Sequence, residues 1–197
     1  MRQPVCHLET ADEYFHKHDA ELIDEMRRRA AFEERRRRVA EACQTRDPRV
    51  LDALERLGYD QTTIELLYFV PLVHVAWIDG SVSAAERNRI LVMAGLHGLR
   101  ENAAASQKLL AWLDQRPSDA FFEGTLHAIR ALFDELPETE RQTRKQSLLH
   151  SMREVAFASC GIVGWRTKLC ITKRSLIRKV AKLLAPAHHA TAATAGL

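Results

Sequence analysis

Apolar residues recur every three or four positions along most of this chain, a spacing typical of amphipathic helices. Between these segments stand Gly, Pro, Asp and Ser residues of the kind that begin or end helices. The pattern predicts an all-α bundle of seven or eight helices. We expect them at about residues 10–43, 48–58, 61–78, 84–97, 103–115, 119–134, 138–159 and 172–184.

The segment 61–78 is apolar around nearly its whole circumference, which predicts a position in the middle of the bundle. Its uncharged run, Leu66 to Ile78, is thirteen residues long and contains Pro71. A helix that crosses a bilayer needs about 20 apolar residues. We therefore expect a core helix here and no membrane-spanning segment.

The first predicted helix, 10–43, would be about 50 Å long at about 1.5 Å per residue. Its first half has an apolar stripe, and its Arg-rich second half has a single large apolar residue. These apolar residues are Phe15, Leu22, Ile23, Met26 and, further on, Phe32. So little apolar surface cannot dock the whole helix on a core. We expect it to project into solvent and to bind a protein partner or a second copy.

The stretch RRRAAFEERRRR within this helix raises the alternative of nucleic-acid binding. From Glu9 to Glu41, however, there are ten acids and eight bases. Several acids precede a base by four residues, as Asp24 precedes Arg28, and such pairs stabilise a helix. Alternating charge is typical of a solvated, self-paired helix face, which we prefer to the nucleic-acid alternative.

The length of 197 residues fits one domain with an appendage. We divide the chain into an extended charged helix (1–45), a helical bundle (46–185) and a disordered Ala-rich tail (186–197). The net charge of +3 makes no strong case for nucleic acid. The four cysteines form no CxxC motif, and the N-terminus has charges where a signal peptide is apolar. These features predict a cytoplasmic protein.

The stretch from Asp79 to Glu86, DGSVSAAE, has two interpretations. It matches the second half of a calcium-binding EF-hand loop, but the first ligand positions would be Val75 and Trp77, which excludes a complete loop. Alternatively, Asp79-Gly80 forms a turn, Ser83 caps the next helix and Glu86 completes a capping box. Capping leaves Asp79 unexplained, so a metal site at Asp79 and Glu86 stays open.

Two motifs resemble the TerB-like family, the helical family of tellurite-resistance TerB proteins and of the N-terminal region of the DjlA co-chaperone. The first is VAWIDG followed by VSxxER, residues 75–80 and 82–87. The second is the Gly-containing VAFASCGIVG, residues 155–164, followed by ITxxS, residues 171–175. They also form a degenerate repeat about 80 residues apart, each leading to a Ser or Thr cap. The motif positions are Trp77, Gly80, Ser83, Gly161, Gly164 and Thr172.

The resemblance implies an all-α bundle, a role in bacterial stress or tellurite resistance, and divalent-metal binding through acidic residues near these turns. In the first motif the matching acids are Asp79 and Glu86. In the second, the carboxylate position of the final helix is Ser175, which lies among bases. Hard cations need several oxygen ligands, so we expect at most a weakly bound Ca²⁺ or Mg²⁺ and no other cofactor.

The C-terminal segment is basic and contains no acid. Its bases, which we expect on the surface, are Arg166, Lys168, Lys173, Arg174, Arg178, Lys179 and Lys182. Such a helix can contact an anionic membrane surface. In the alternative that we prefer, its apolar face, which includes Leu176 and Val180, packs in the bundle.

No motif of a hydrolase, metalloprotease or nucleotide-binding enzyme occurs in the sequence. His74 lies in the apolar helix, and we expect a hydrogen-bonded core or inter-helix residue there. We assign no catalytic residue and no small-molecule substrate. The expected function is a non-enzymatic interaction module, with metal sensing or membrane or nucleic-acid association as alternatives.

Overall fold

The computed structural model describes the backbone of residues 11–160 and 168–185, and the side chains of residues 18–159 and 171–185. Within these ranges the chain is helical and has no strands, which confirms the prediction of an all-α bundle. Eight α-helices are described: α1 (Ala11–Cys43), α2 (Pro48–Arg56), α3 (Val70–Trp77), α4 (Ala84–Leu96), α5 (Ala103–Asp114), α6 (Asp119–Asp134), α7 (Glu138–Cys160) and α8 (Lys168–Leu183). The proposed tail, 186–197, lies outside the described residues.

Side-chain caps explain why several helices begin where the sequence predicts. Asp47 accepts a hydrogen bond from the Arg49 amide at 2.8 Å, and Pro48 opens α2. Asn102 and Ser118 cap α5 and α6 in the same way. Each cap satisfies an amide that has no partner inside its helix.

The predicted helix 61–78 is divided at Pro71. Ile64–Phe69 forms a 3-10 helix, and α3 begins at Val70. Proline has no amide hydrogen and clashes with the preceding turn of an α-helix, but the first turn tolerates it. The single helix expected here was therefore wrong in its first half.

Helix α3 lies at the centre of the bundle, as its apolar circumference predicts. It packs against α4, α6, α7 and α8. Leu72, Val73, Val75 and Ala76 are all buried. Because α3 is short and surrounded, the turn that follows it is held from several sides.

Among the described side chains of helix α1, those that dock on the bundle lie in its C-terminal part. Val39 is buried, and Arg36 of α1 forms an ion pair with Asp52 of α2 at 2.6 Å and donates to the Pro48 carbonyl at 3.1 Å. Every residue from 18 to 33 is exposed. That part of α1 extends away from the core.

The last helix starts earlier than expected. α8 begins at Lys168, so Thr172 lies inside the helix and is exposed, and its predicted role as a helix cap was wrong. No Gly or Pro separates Lys168 from Thr172, and the helix can therefore continue backwards past the threonine.

Candidate functional site

The turn after α3 brings the two acidic residues of the first motif, Asp79 and Glu86, close together. Gly80 has a positive φ of 92°, and its amide donates to the Trp77 carbonyl at 2.9 Å. A left-handed residue of this kind favours glycine. Ser83 then caps α4 and forms the predicted capping box with Glu86, which confirms that interpretation.

Glu86 does more than complete a cap, because its carboxylate is fully buried. One oxygen accepts from the Ser83 amide at 3.0 Å and from the Ser83 hydroxyl at 2.7 Å. The other accepts from the Ser159 hydroxyl of α7 at 2.9 Å. A buried carboxylate without such donors would cost several kcal/mol or more. Glu86 therefore joins the start of α4 to the end of α7.

The cation that neutralises Glu86 is Lys173 of α8, whose side chain is 1% exposed. Its ammonium lies 2.5 Å from the second Glu86 oxygen and 3.0 Å from Asp79 Oδ2. It also donates to Ser159 Oγ at 2.8 Å. The three N–H groups of a lysine thus find three oxygen acceptors. The prediction that Lys173 is a surface base was wrong, because its charge is paired inside the bundle.

The site follows the internal repeat of the sequence. Asp79 stands four residues after Val75 in the first motif, and Ser159 stands four residues after Val155 in the second. Both bond the same lysine. We call Asp79, Glu86, Ser159 and Lys173 the lysine cluster. Sequence reasoning found its two acids, and it missed the bonding of Ser159 and Lys173.

A divalent metal ion does not fit the lysine cluster as it stands. The lysine ammonium lies within hydrogen-bond distance of both carboxylates, where an ion bound by Asp79 and Glu86 would lie. A second cation there would meet strong repulsion in a buried environment. In the described residues, no group of three or more His, Cys, Asp and Glu is placed to share a metal.

The remaining motif residues have structural contacts or lie outside the described chain. Trp77 donates its indole N–H to the Trp112 carbonyl at 2.8 Å, which ties the end of α3 to α5. Gly161 and Gly164 lie outside the described residues.

The bases of the C-terminal segment other than Lys173 are either exposed or lie outside the described residues. Arg174, Arg178, Lys179 and Lys182 are exposed, whereas Arg166 and the side chain of Lys168 lie outside the described residues. The apolar face of α8 is buried: Leu176, Ile177, Val180 and Leu184. This face packs in the bundle, so it does not offer an apolar surface to a membrane.

His74 of α3 stacks on Phe122 of α6, with ring centroids 4.2 Å apart and the planes 6° from parallel. Burial lowers its pKa to about 4, and the nearby cations Arg116 and Lys179 act in the same direction while Asp119 opposes them. Its Nδ1 is buried and has no hydrogen-bond partner. His74 is thus a neutral, stacked inter-helix residue, and the expected hydrogen bond is not found at Nδ1.

A cavity of about 630 Å³ lies between the 3-10 segment, α4 and α7. Its walls are mostly apolar, and its charged residues include Arg144, which pairs with Glu140 at 2.6 Å. Burial raises the pKa of Tyr68 in the same wall. Arg144 is thus already paired within the protein.

Comparison of the chain with protein-family models, with curated proteins and with solved structures gave no match. None of the helices in the described ranges is both long and apolar enough to cross a membrane.

Proposed function

We propose that this chain is a non-enzymatic, TerB-like helical protein that acts in the cytoplasm as an interaction module of a bacterial stress or tellurite-resistance system. The bundle is the base, and the exposed part of α1 is the arm that meets a partner. The observation that carries this proposal is the exposure of every residue from 18 to 33.

The arm carries apolar side chains that the bundle leaves uncovered. Leu22, Ile23 and Met26 are 45%, 48% and 70% exposed. A cluster of large apolar residues on the surface is typical of a protein interaction site. A helix gains most of its stability from packing of its apolar face, and a partner would supply that packing here.

The state of the buried charges supports a binding protein over an enzyme. Among the described residues, the buried charged side chains are Glu86 and Lys173, and they pair with each other. A general acid or base must be able to exchange a proton with a substrate. The lysine cluster instead satisfies its own hydrogen bonds inside the protein.

The alternatives have less support. The ammonium of Lys173 takes the position that a metal sensor would need, and the apolar face of α8 is packed in the core. On α1, Glu34 forms ion pairs with Arg37 and Arg38 at 2.7 and 2.8 Å, so part of the positive charge is neutralised within the helix.

The test replaces the exposed apolar residues of the arm, Leu22, Ile23 and Met26, by serine in the full chain. Light scattering and pull-down from the expressing cells are compared with the wild type. Leu96→Ser is the matched control, because Leu96 on α4 is 82% exposed. We expect the triple variant to keep its melting temperature and to lose association, and the control to keep both. Unchanged scattering together with unchanged pull-down would contradict the proposal.

A further inference from the structure

We infer that the partner of the α1 arm is a second copy of this chain, whose α1 lies antiparallel to the first. The inference rests on the proposed interaction function and adds the identity and direction of the partner. The two-fold axis passes near Met26, and each helix presents the same surface to the other, as in an isologous dimer.

The apolar stripe and the docked face of α1 point in different directions. Met26 and Val39 are thirteen residues apart, which at about 100° per residue places them about 140° apart around the helix axis. Val39 is buried in the bundle, and Met26 is exposed. A partner helix can therefore lie along the stripe without displacing α2.

The exposed part of α1 is long enough for such a pairing. Residues 18–33 span about 24 Å at about 1.5 Å per residue, and Met26 stands close to the middle of that span. The stripe also includes Leu22, Ile23 and Ala30. Ala30 follows Leu22 by eight residues, Ile23 by seven and Met26 by four, and these spacings keep the positions on one side of the helix. The small side chain of Ala30 allows two helices to approach closely.

The charge of α1 changes sign at Met26. Residues 12–25 contain six acids and one lysine, a formal charge of −5, whereas residues 27–38 contain seven arginines and two glutamates, a formal charge of +5. Antiparallel helices place the acidic half of one against the basic half of the other. Parallel helices place like charges together, which is unfavourable. The charge distribution therefore selects a second copy in the antiparallel direction.

The charges next to the axis make the most specific contribution. Asp24 and Glu25 stand just before Met26, and Arg27 to Arg29 stand just after it. At about 100° per residue, Glu25 and Arg29 flank the stripe on the same side of Met26, so in the antiparallel pair Glu25 of one chain approaches Arg29 of the other. Asp24 and Arg28 lie about 160° from Met26 and point away from the partner, and Asp24 pairs with Arg27 of its own helix at 3.4 Å. Arg36 already pairs with Asp52 and Glu55 of α2, and omitting it leaves the basic half positive.

Charge reversal in the full chain tests the direction by sedimentation equilibrium. The acid-reversed variant carries Glu25→Lys, the base-reversed variant carries Arg29→Glu, and a third carries both changes. Each single reversal should weaken dimerisation by about tenfold or more, since like charges then face each other. The combined variant should restore it, because the residues at 25 and 29 again have opposite charges. Melting of the bundle checks that every variant is folded.

Separate outcomes distinguish this inference from the proposed function. A wild-type chain that stays monomeric at high micromolar concentration overturns self-pairing. The proposed interaction function would still be supported if the wild type pulled down a different protein and the Leu22, Ile23 and Met26 variant did not. Dimerisation that persists when those three apolar residues are replaced by serine overturns the inference, because another surface then forms the dimer. A dimer that needs them and is not restored by combining Glu25→Lys with Arg29→Glu overturns the antiparallel direction.

Discussion

Replacing Lys173 by methionine tests whether the lysine cluster holds the bundle together. Methionine keeps the length of the aliphatic part of the side chain and removes the ammonium. The change leaves the Glu86 carboxylate, which is fully buried, without its cation. Removing one partner of a buried ion pair costs about 3–5 kcal/mol. Both side chains of this pair are at most 1% exposed.

That loss should be large and still measurable in a folded protein. Domains unfold with free energies of about 5–15 kcal/mol, so a loss of about 3–5 kcal/mol leaves most such bundles folded. For a chain of this size each kcal/mol lowers the melting temperature by about 2–4 °C. We expect a decrease of about 6–20 °C for Lys173→Met. Urea unfolding at pH 7, followed by circular dichroism, would give the free energy directly.

Two comparisons separate charge pairing from a general effect of the substitution. Lys179→Met removes an exposed base from the same helix, and we expect a change within about 0.5 kcal/mol. The double variant Lys173→Met with Glu86→Gln removes both charges and should recover part of the loss, because no unpaired charge stays buried. A loss below about 1 kcal/mol for Lys173→Met, or one equal to that of Lys179→Met, would refute the reasoning.

Two further predictions concern metal and pH. Ca²⁺ at millimolar concentration should leave the melting temperature of the wild type unchanged. It should raise the melting temperature of Lys173→Ala, because Asp79 and Glu86 then lack their cation and can bind the ion. An equal response of the two proteins would count against a lysine that excludes the ion. Since His74 has a pKa of about 4 when folded and about 6.5 when unfolded, the unfolded chain binds the proton first, and stability should fall as pH decreases from about 6.5 to 4. Because His74 is partly exposed, solvent screening reduces the expected loss to about 1–2 kcal/mol. His74→Phe keeps the stack on Phe122, and its free energy of unfolding in urea should depend less on pH across this range. An unchanged pH dependence would be inconsistent with a histidine that stays neutral in the folded protein.

Much of the fold could be predicted because helix periodicity and end signals are local. Ser83 caps α4 as expected, and the ends of α5 and α6 agree closely with prediction. Errors arose where a local signal was ambiguous. Pro71 divides the apolar segment 61–78, and a Ser or Thr that can cap a helix is also tolerated within one, as Thr172 shows.

The candidate site was half predictable. Asp79 and Glu86 could be found from the turn and the capping box, since both are local in sequence. Lys173 was assigned to the surface because bases surround it, although it shares the helix face of Ile177 and Val180. A lysine at the period of a buried face needs a carboxylate partner. That periodicity was the available signal, but the identity of the partner depends on how α4 and α8 meet in space.

The lysine cluster bears on the proposed interaction arm. An ion that binds and leaves would let the junction of α3, α4, α7 and α8 change with its surroundings. The cation of Lys173 is part of the chain, so it cannot leave the junction. Its three acceptors come from three different segments. The junction is then held at all ion concentrations. A core of constant shape suits the proposed function, because association through α1 would then need no rearrangement of the core.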